Sequence, residues 1–310
     1  MKPSYLKLYH EGELKNRARK AVEAMASCRL CPRACGVNRL QGETGYCHTG
    51  RHAKVAAYNA HFGEEAPLVG EHGSGTIFMS SCNLFCSFCQ NYEISHQNEG
   101  AEVGPKQMAA MMLHLAKRGC HNINFVTPTH VAPQIIEGLI LAVENGLDIP
   151  LVYNSGGYDR RETLELLDGI FDIYMPDFKF WEGKWSERFC KAPDYGETAQ
   201  VAIREMHRQV GDLIVDDKGI AVKGLLVRHL VMPNHVAGTD AVMKFLAEEI
   251  SPRTYINVMD QYRPCGNADK DELINRRLTA AEFRDAMNAT GRAGLSRLDP
   301  RQQPRLILRF

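Results

Sequence analysis

From residue 74 onward, six short apolar or β-branched segments alternate with longer amphipathic segments along this 310-residue chain. The six segments predict strands at residues 75–81, 123–128, 149–155, 171–180, 223–233 and 254–262. The intervening segments predict helices at residues 105–119, 131–146, 160–168, 196–211 and 238–250. Strands joined by crossover helices form a parallel sheet with right-handed connections. The chain is therefore predicted to be an α/β protein whose sheet either closes partly into a barrel or lies open.

Residues at the two ends of the chain do not follow this alternation. Residues 1–73 are predicted to form a helix over about 8–27 and a cysteine-rich, glycine-containing extension that binds metal in place of a large core. Residues 74–265 form the repeating α/β domain. Residues 266–310 contain a last helix, with Thr279 as its N-cap, and a tail at 304–310 that is either an added strand or a docking segment.

The composition restricts the compartment and the partners. Lys plus Arg equals Asp plus Glu at 37 each, which gives no electrostatic reason to expect nucleic acid as a partner. The N-terminus lacks a signal-peptide pattern, and no apolar run approaches the about 20 residues of a membrane span. We therefore expect a cytoplasmic protein without a membrane partner. In that reducing compartment, closely spaced cysteines indicate metal ligation.

Three of these cysteines form a compact group directly after the first predicted strand. Cys82, Cys86 and Cys89 follow the spacing C-x3-C-x2-C. Thiolates suit zinc, copper(I) and iron–sulfur clusters, and a structural zinc site has four protein ligands. Three cysteines hold three irons of a [4Fe–4S] cluster and leave the fourth iron open. The triplet therefore favours a cluster with one free coordination position, at the edge of the sheet where parallel α/β proteins place their chemistry.

The triplet, with Phe88 just before its last cysteine, resembles the signature of the radical S-adenosylmethionine superfamily. The resemblance covers about residues 75–265 and includes the strand order. It implies a partial (βα)6 TIM-like barrel and reductive cleavage of S-adenosylmethionine at the open iron. It also implies a 5′-deoxyadenosyl radical that abstracts hydrogen, and electrons from a flavodoxin or ferredoxin. These steps require a walled cavity from which water is excluded.

The same resemblance implies a set of cofactor-binding residues at the strand ends. Where the family carries Gly-Gly-Glu, this chain has Thr127-Pro128-Thr129-His130, so backbone carbonyls or Thr129 would replace the usual contacts. The motif Asp177-x-Lys179 is similar to the Asp-x-Lys pair of pyruvate formate-lyase activating enzymes, and both side chains lie on one face of a strand. Strand alternation allows only one of Arg228 and His229 to face inward, and we select His229. The predicted cofactor-binding residues are Phe88, Thr127, Thr129, Asn154, Ser155, Asp177, Lys179 and His229.

A second group of cysteines precedes the barrel. Cys28, Cys31, Cys35 and Cys47 lie within twenty residues, and nearby glycines permit a tight knuckle. Four thiolates satisfy either zinc or a second [4Fe–4S] cluster. The pattern CxLCPRxC…GxxGxC ahead of a radical domain resembles one branch of pyruvate formate-lyase activating enzyme-like proteins. Cys265, beyond the last strand, is a candidate hydrogen donor or extra ligand. The alternative is that it is a thiol without a role in the chemistry.

Three functions follow from these observations. The leading one is a radical S-adenosylmethionine oxidoreductase of the activating-enzyme type, which abstracts hydrogen from a protein substrate such as a glycyl-radical enzyme. The second keeps the radical chemistry but modifies a peptide, RNA or a small molecule. The third is a non-catalytic iron–sulfur or zinc protein that acts in assembly or interaction, against which the open coordination position argues.

Overall fold

A computed structural model describes residues 2–300 of the chain. The predicted tail at 304–310 lies outside the described residues. The strands are β1 (Ala53–His61), β2 (Ser74–Met79), β3 (Ala101–Val103), β4 (Ile123–Val126), β5 (Leu151–Ser155), β6 (Ile173–Pro176), β7 (Ile214–Val215), β8 (Ala221–Leu230) and β9 (Tyr255–Met259). The helices are α1 (Tyr5–His10), α2 (Glu13–Glu23), α3 (Ala66–Val69), α4 (Tyr92–His96), α5 (Pro105–Lys117), α6 (Ala132–Glu144), α7 (Arg161–Leu166), α8 (Gly183–Cys190), α9 (Tyr195–Val210), α10 (Thr239–Phe245) and α11 (Ala280–Arg292).

Six strands form the parallel part of the sheet, in the order β2-β4-β5-β6-β8-β9. These are the six predicted strands, and the prediction of a mixed α/β fold is confirmed. Because crossover helices follow β4, β5 and β6, successive strands point the same way and their carboxyl ends share one edge. The arrangement is consistent with a partial TIM-like barrel, in which that edge carries the loops of the site.

Two antiparallel strands, β1 from the N-terminal segment and β3 from the segment after the cysteine triplet, extend this sheet beyond β2. β1 pairs with β2 from Val55–Met79 to His61–Ser74, and β3 pairs with the start of β1. The sequence pattern predicts neither β1 nor β3. The predicted helix over 8–27 is instead two helices, α1 and α2, separated at Gly12, whose backbone adopts a left-handed φ of 75°. The N-terminal segment is therefore hydrogen-bonded to the barrel through β1.

The helices cover the sheet through their predicted apolar stripes. In α5, Met108, Met112 and Leu115 are buried, and Met108 packs so closely on Gly138 of α6 that a Cβ there would lie 2.6 Å from its Cγ. The last helix begins at the predicted cap, where the Thr279 hydroxyl accepts a hydrogen bond from the amide N–H of Glu282. No helix within residues 2–300 is long and apolar enough to cross a membrane.

Candidate active site

One cavity of about 230 Å³ lies at the carboxyl ends of the parallel strands. Its wall on one side is the loop that follows β2, with the thiols of Cys82, Cys86 and Cys89. The other walls come from the ends of the remaining strands. The lining residues at those ends are Val126 and Thr127 at the end of β4, Asn154, Ser155 and Gly156 at the end of β5, Asp177 and Lys179 after β6, Arg228 and Leu230 in β8, and Met259 and Gln261 at the end of β9.

In the loop from Cys82 to Cys89, neighbouring N–H and O–H groups donate hydrogen bonds to two of the three sulfurs. The amide N–H of Leu84 donates to Cys82 Sγ at 3.3 Å, and the Ser95 hydroxyl donates to Cys89 Sγ at 3.1 Å. Phe85 in the middle of the loop has φ 54°, a left-handed turn that allows the chain to fold back between the first two cysteines. Burial raises the pKa of the Cys82 thiol to about 12 and also raises the pKa of Cys89. A metal must therefore displace these protons when it binds.

A fourth cysteine lies against this loop. Cys190, the last residue of α8, is fully buried, and its Sγ is 3.3 Å from Cys86 Sγ. This contact is the leading cause of the strongly raised pKa of Cys86. The sequence pattern missed Cys190 because it lies a hundred residues away on a short helix that was not predicted. Its position four residues after Ser186, the spacing of one helix face, was the available signal.

The opposite wall contains a buried ionic network centred on Asp177. Lys179 Nζ lies 2.5 Å from Asp177 Oδ2, and Arg228 Nε lies 2.8 Å from Asp177 Oδ1. Arg228 also donates to Asn154 Oδ1 at 2.8 Å. Burial alone would raise the pKa of Asp177, but the charges of Arg228 and Lys179 outweigh it and hold that pKa below its usual value. Two cations and one carboxylate thus face a cavity, an arrangement suited to a ligand that carries its own carboxylate.

A tyrosine and two glycines hold the backbone of this wall. The Tyr195 hydroxyl accepts from the Lys179 amide at 2.9 Å and lies 2.9 Å from the carbonyl oxygen of Gly156. Gly157 has φ 77°, and a Cβ on it would lie 2.1 Å from the carbonyl oxygen of Asp177. The absence of a side chain at Gly157 therefore permits the close approach of these two segments of backbone. It joins the loops after β5 and β6 into one rigid surface.

Six of the eight predicted cofactor-binding residues line this cavity. They are Phe88, Thr127, Asn154, Ser155, Asp177 and Lys179. Thr127 has φ 62° and its amide donates to the carbonyl oxygen of Asn154 at 2.8 Å, so its backbone rather than a glycine makes the turn after β4. The Ser155 hydroxyl donates to Asp159 Oδ2 at 2.6 Å and also accepts from the amide of Gly157.

Two predicted residues lie elsewhere. His229 is fully buried behind the sheet, where its ring bonds the carbonyl oxygen of Phe178 at 2.7 Å and the Thr239 hydroxyl at 2.9 Å. The choice of His229 over Arg228 was therefore wrong, because the alternation of β8 turns Arg228 to the cavity. Thr129 is buried below the loop and donates to Asp159 at 2.7 Å, so its side chain is not available to a cofactor.

The remaining candidates are separate from this cavity. Cys265 does not line it and lies near the buried Tyr262 instead. The residues Cys28, Cys31, Cys35 and Cys47 line a second, much smaller cavity. Gln261, which is not among these candidates, lines the main cavity two residues after the end of β9.

Comparisons with known proteins agree with this geometry. Residues 76–202 match the model of the Radical SAM superfamily. The chain is 34% identical over 278 residues to a protein of Methanocaldococcus jannaschii called "Uncharacterized protein MJ0674", an alignment that covers 86% of this chain and 75% of that one.

A solved structure gives a more distant likeness. It is that of Streptococcus suis SuiB bound to the precursor peptide SuiA, with 13% sequence identity and a TM-score of 0.45. The alignment covers 68% of this chain and 43% of SuiB, so the chain spans less than half the length of that protein. With the cysteine triplet at the end of the first parallel strand, the matches to the family model and to the archaeal relative lead to one conclusion: the chain belongs to the radical SAM superfamily.

Proposed function

We propose that Cys82, Cys86 and Cys89 hold a [4Fe–4S] cluster and that the adjoining cavity binds S-adenosylmethionine for hydrogen abstraction from a substrate. The cluster, when bound, supplies the electron that cleaves S-adenosylmethionine to methionine and a 5′-deoxyadenosyl radical. The observation that carries the proposal is that the three thiols and the Asp177 network face each other across one cavity. Hydrogen bonds from Leu84 and Ser95 to two of the sulfurs fit thiolate ligands.

The ionic network provides contacts of the right charge for the methionine end of the cofactor. Lys179 and Arg228 are the cations that would bind its carboxylate, and the oxygens of Asp177 and Asn154 would accept hydrogen bonds from its ammonium group. Phe88 packs edge-on against Phe180 at 5.8 Å and contributes an apolar wall that excludes water. Arg228 replaces His229 in this assignment.

An activating-enzyme role is supported by the pair Asp177 and Lys179. This pair matches the Asp-x-Lys motif of pyruvate formate-lyase activating enzymes, and both side chains line the cavity. In that role the chain takes electrons from a flavodoxin or ferredoxin and abstracts hydrogen from a glycine of a protein substrate.

The test separates the chemistry from the substrate. We expect anaerobically reconstituted protein with dithionite and S-adenosylmethionine to form 5′-deoxyadenosine, Cys82→Ala to form none, and Cys120→Ala to match the wild type. Cys120 is the matched control because it is a buried cysteine that lines neither cysteine cavity. With pyruvate formate-lyase present, an activating enzyme gives a glycyl-radical doublet in the electron paramagnetic resonance spectrum. Formation of 5′-deoxyadenosine without that doublet would assign the substrate to another class.

A further inference from the structure

The four N-terminal cysteines are gathered around one small cavity that the proposed radical chemistry does not use. Cys28, Cys31, Cys35 and Cys47 all line it. Three of the thiols are buried and Cys35 lies at the exposed rim. Gly45 permits the approach of Cys35, since a Cβ on that glycine would lie 2.8 Å from its Sγ. The loop from 28 to 47 is therefore folded so that its thiols face a common point.

Polar groups in the wall of this cavity are directed at the sulfurs. The amide N–H of Tyr46 donates to Cys35 Sγ at 3.3 Å, and Arg39 Nη1 lies 3.9 Å from Cys28 Sγ. Such donors stabilise a thiolate relative to a thiol, and metal-bound thiolates require them.

The charge of Arg39 is the strongest indication that an anionic group belongs here. Its side chain is 1% exposed, and it donates to the carbonyl oxygens of Gly50 and His130 at 3.0 and 2.8 Å. Its Nη2 has no hydrogen-bond partner, and no carboxylate among residues 2–300 forms an ion pair with it. A buried cation without a counter-charge is costly. A metal centre with four thiolate ligands carries the negative charge that would compensate Arg39.

A second unpartnered atom borders the same cavity. His130 lines it, and its buried Nδ1 has no hydrogen-bond partner, while its Nε2 bonds the carbonyl oxygen of Ser80 at 2.8 Å. Native proteins rarely leave two buried polar atoms unpaired side by side unless a bound group completes the site. Both atoms belong to side chains that meet the four cysteines.

The spacing of the thiols favours a cluster over a single ion. Within residues 2–300, no three His, Cys, Asp or Glu side chains converge closely enough to hold one metal ion, and this applies to the triplet as well as to the quartet. Zinc–sulfur bonds of about 2.3 Å would bring tetrahedral thiolates to about 3.8 Å from each other. In a cubane each thiolate binds a different iron, so the sulfurs stand farther apart. The geometry points to a second [4Fe–4S] cluster, held by Cys28, Cys31, Cys35 and Cys47 and balanced by Arg39.

This second centre is attached directly to the loop of the radical site. Arg33, between Cys31 and Cys35, donates from Nε to the carbonyl oxygen of Asn83 at 2.9 Å. The bond from His130 to Ser80 reaches the same loop two residues before Cys82. The Tyr46 ring packs edge-on against Phe85 at 5.3 Å. The metal centre thus anchors the wall that carries the triplet.

The experiment uses full-length chains that lack the triplet, so that radical chemistry plays no part in the result. Cys82→Ala/Cys86→Ala/Cys89→Ala is reconstituted anaerobically with iron and sulfide. We expect about four irons and four sulfides per chain, and a visible absorption that dithionite bleaches. Adding Cys28→Ala/Cys31→Ala should reduce the iron to below about one per chain, whereas adding Cys120→Ala should leave it unchanged.

Two results would overturn the inference. One is a triplet-free chain that contains no iron. The other is such a chain that contains one zinc in place of iron after growth with both metals. If the triplet-free chain does not fold by circular dichroism, the wild type decides: reconstitution to about eight irons per chain supports the second cluster, and about four contradicts it. The formation of 5′-deoxyadenosine by the wild type is a separate measurement, so failure of one proposal leaves the other intact.

Discussion

Replacing Asp177 by alanine removes a carboxylate that contacts both Lys179 and Arg228 in the cavity wall. Removing one partner of a buried ion pair costs about 3–5 kcal/mol, because the remaining charges stay buried without compensation. The lower end of that range applies here, since the Lys179 and Arg228 side chains are 16% and 19% exposed. In addition, Arg228 Nη1 remains 3.9 Å from Glu65 Oε1, which partly compensates its charge. We therefore expect the free energy of unfolding to fall by about 3 kcal/mol. With an unfolding entropy of about 2.1 cal/mol/K per residue, the melting temperature of this chain would fall by about 5 °C.

Lys179→Ala is the matched comparison for this prediction. Asp177 then keeps Arg228 at 2.8 Å, and the loss is one charged hydrogen bond, about 1.5 kcal/mol. Asp177→Asn keeps the shape of the side chain but removes its charge, and should resemble the alanine variant. Equilibrium urea unfolding of the cluster-free chains measures all three. If Asp177→Ala destabilised the protein no more than Lys179→Ala does, the network would not be centred on Asp177 and the reasoning would fail.

Two further predictions concern groups behind the cavity. Cys190→Ala should lower the midpoint potential of the triplet cluster by about 30–60 mV, because hydrogen bonds to cluster sulfurs raise the potential and the thiol lies 3.3 Å from Cys86 Sγ. A redox titration followed by electron paramagnetic resonance checks this, and an unchanged potential would exclude a hydrogen bond to the cluster. Burial lowers the pKa of His229 to about 4, so the unfolded chain takes up its proton first as the pH falls from about 6.5. The free energy of unfolding then falls as the pH drops from about 6.5 to about 4. His229→Gln should reduce this pH dependence by about 1.4 kcal/mol per pH unit, measured by urea unfolding. An unaltered pH dependence would show that the imidazole is not buried in its neutral form.

The fold was predictable where a periodic pattern is strong and local. Each of the six parallel strands is rich in apolar and β-branched residues, because both of its faces are covered. β1 was missed because its second half, residues 57–61, has no apolar alternation and is exposed at residues 57–59, and it becomes a strand by pairing with β2. The helix α8 was missed for a similar reason. It has eight residues and is stabilised by packing Phe189 on the barrel rather than by its own sequence.

The site was predictable by position along the chain but not by orientation. Asp177 and Lys179 face the cavity together because residues two apart on a strand point the same way. The same rule required a choice between Arg228 and His229, and only the register of β8 decides which of them is inward. The Thr129 side chain does not face the cavity because a short helical turn after β4 rotates it toward Asp159. Cys190 could not be assigned to the triplet from sequence, since the contact joins residues that are 104 positions apart.

Cleavage of S-adenosylmethionine by a cluster bound to Cys82, Cys86 and Cys89 is the central step of the proposed function. The decisive measurement is the amount of 5′-deoxyadenosine formed per chain by reconstituted protein with dithionite and S-adenosylmethionine, in parallel with Cys82→Ala. We expect formation by the wild type, by Cys120→Ala and by Cys265→Ala, and none by Cys82→Ala. Equal formation by wild type and Cys82→Ala, or none by a wild-type chain that carries its full iron, would contradict the proposed function.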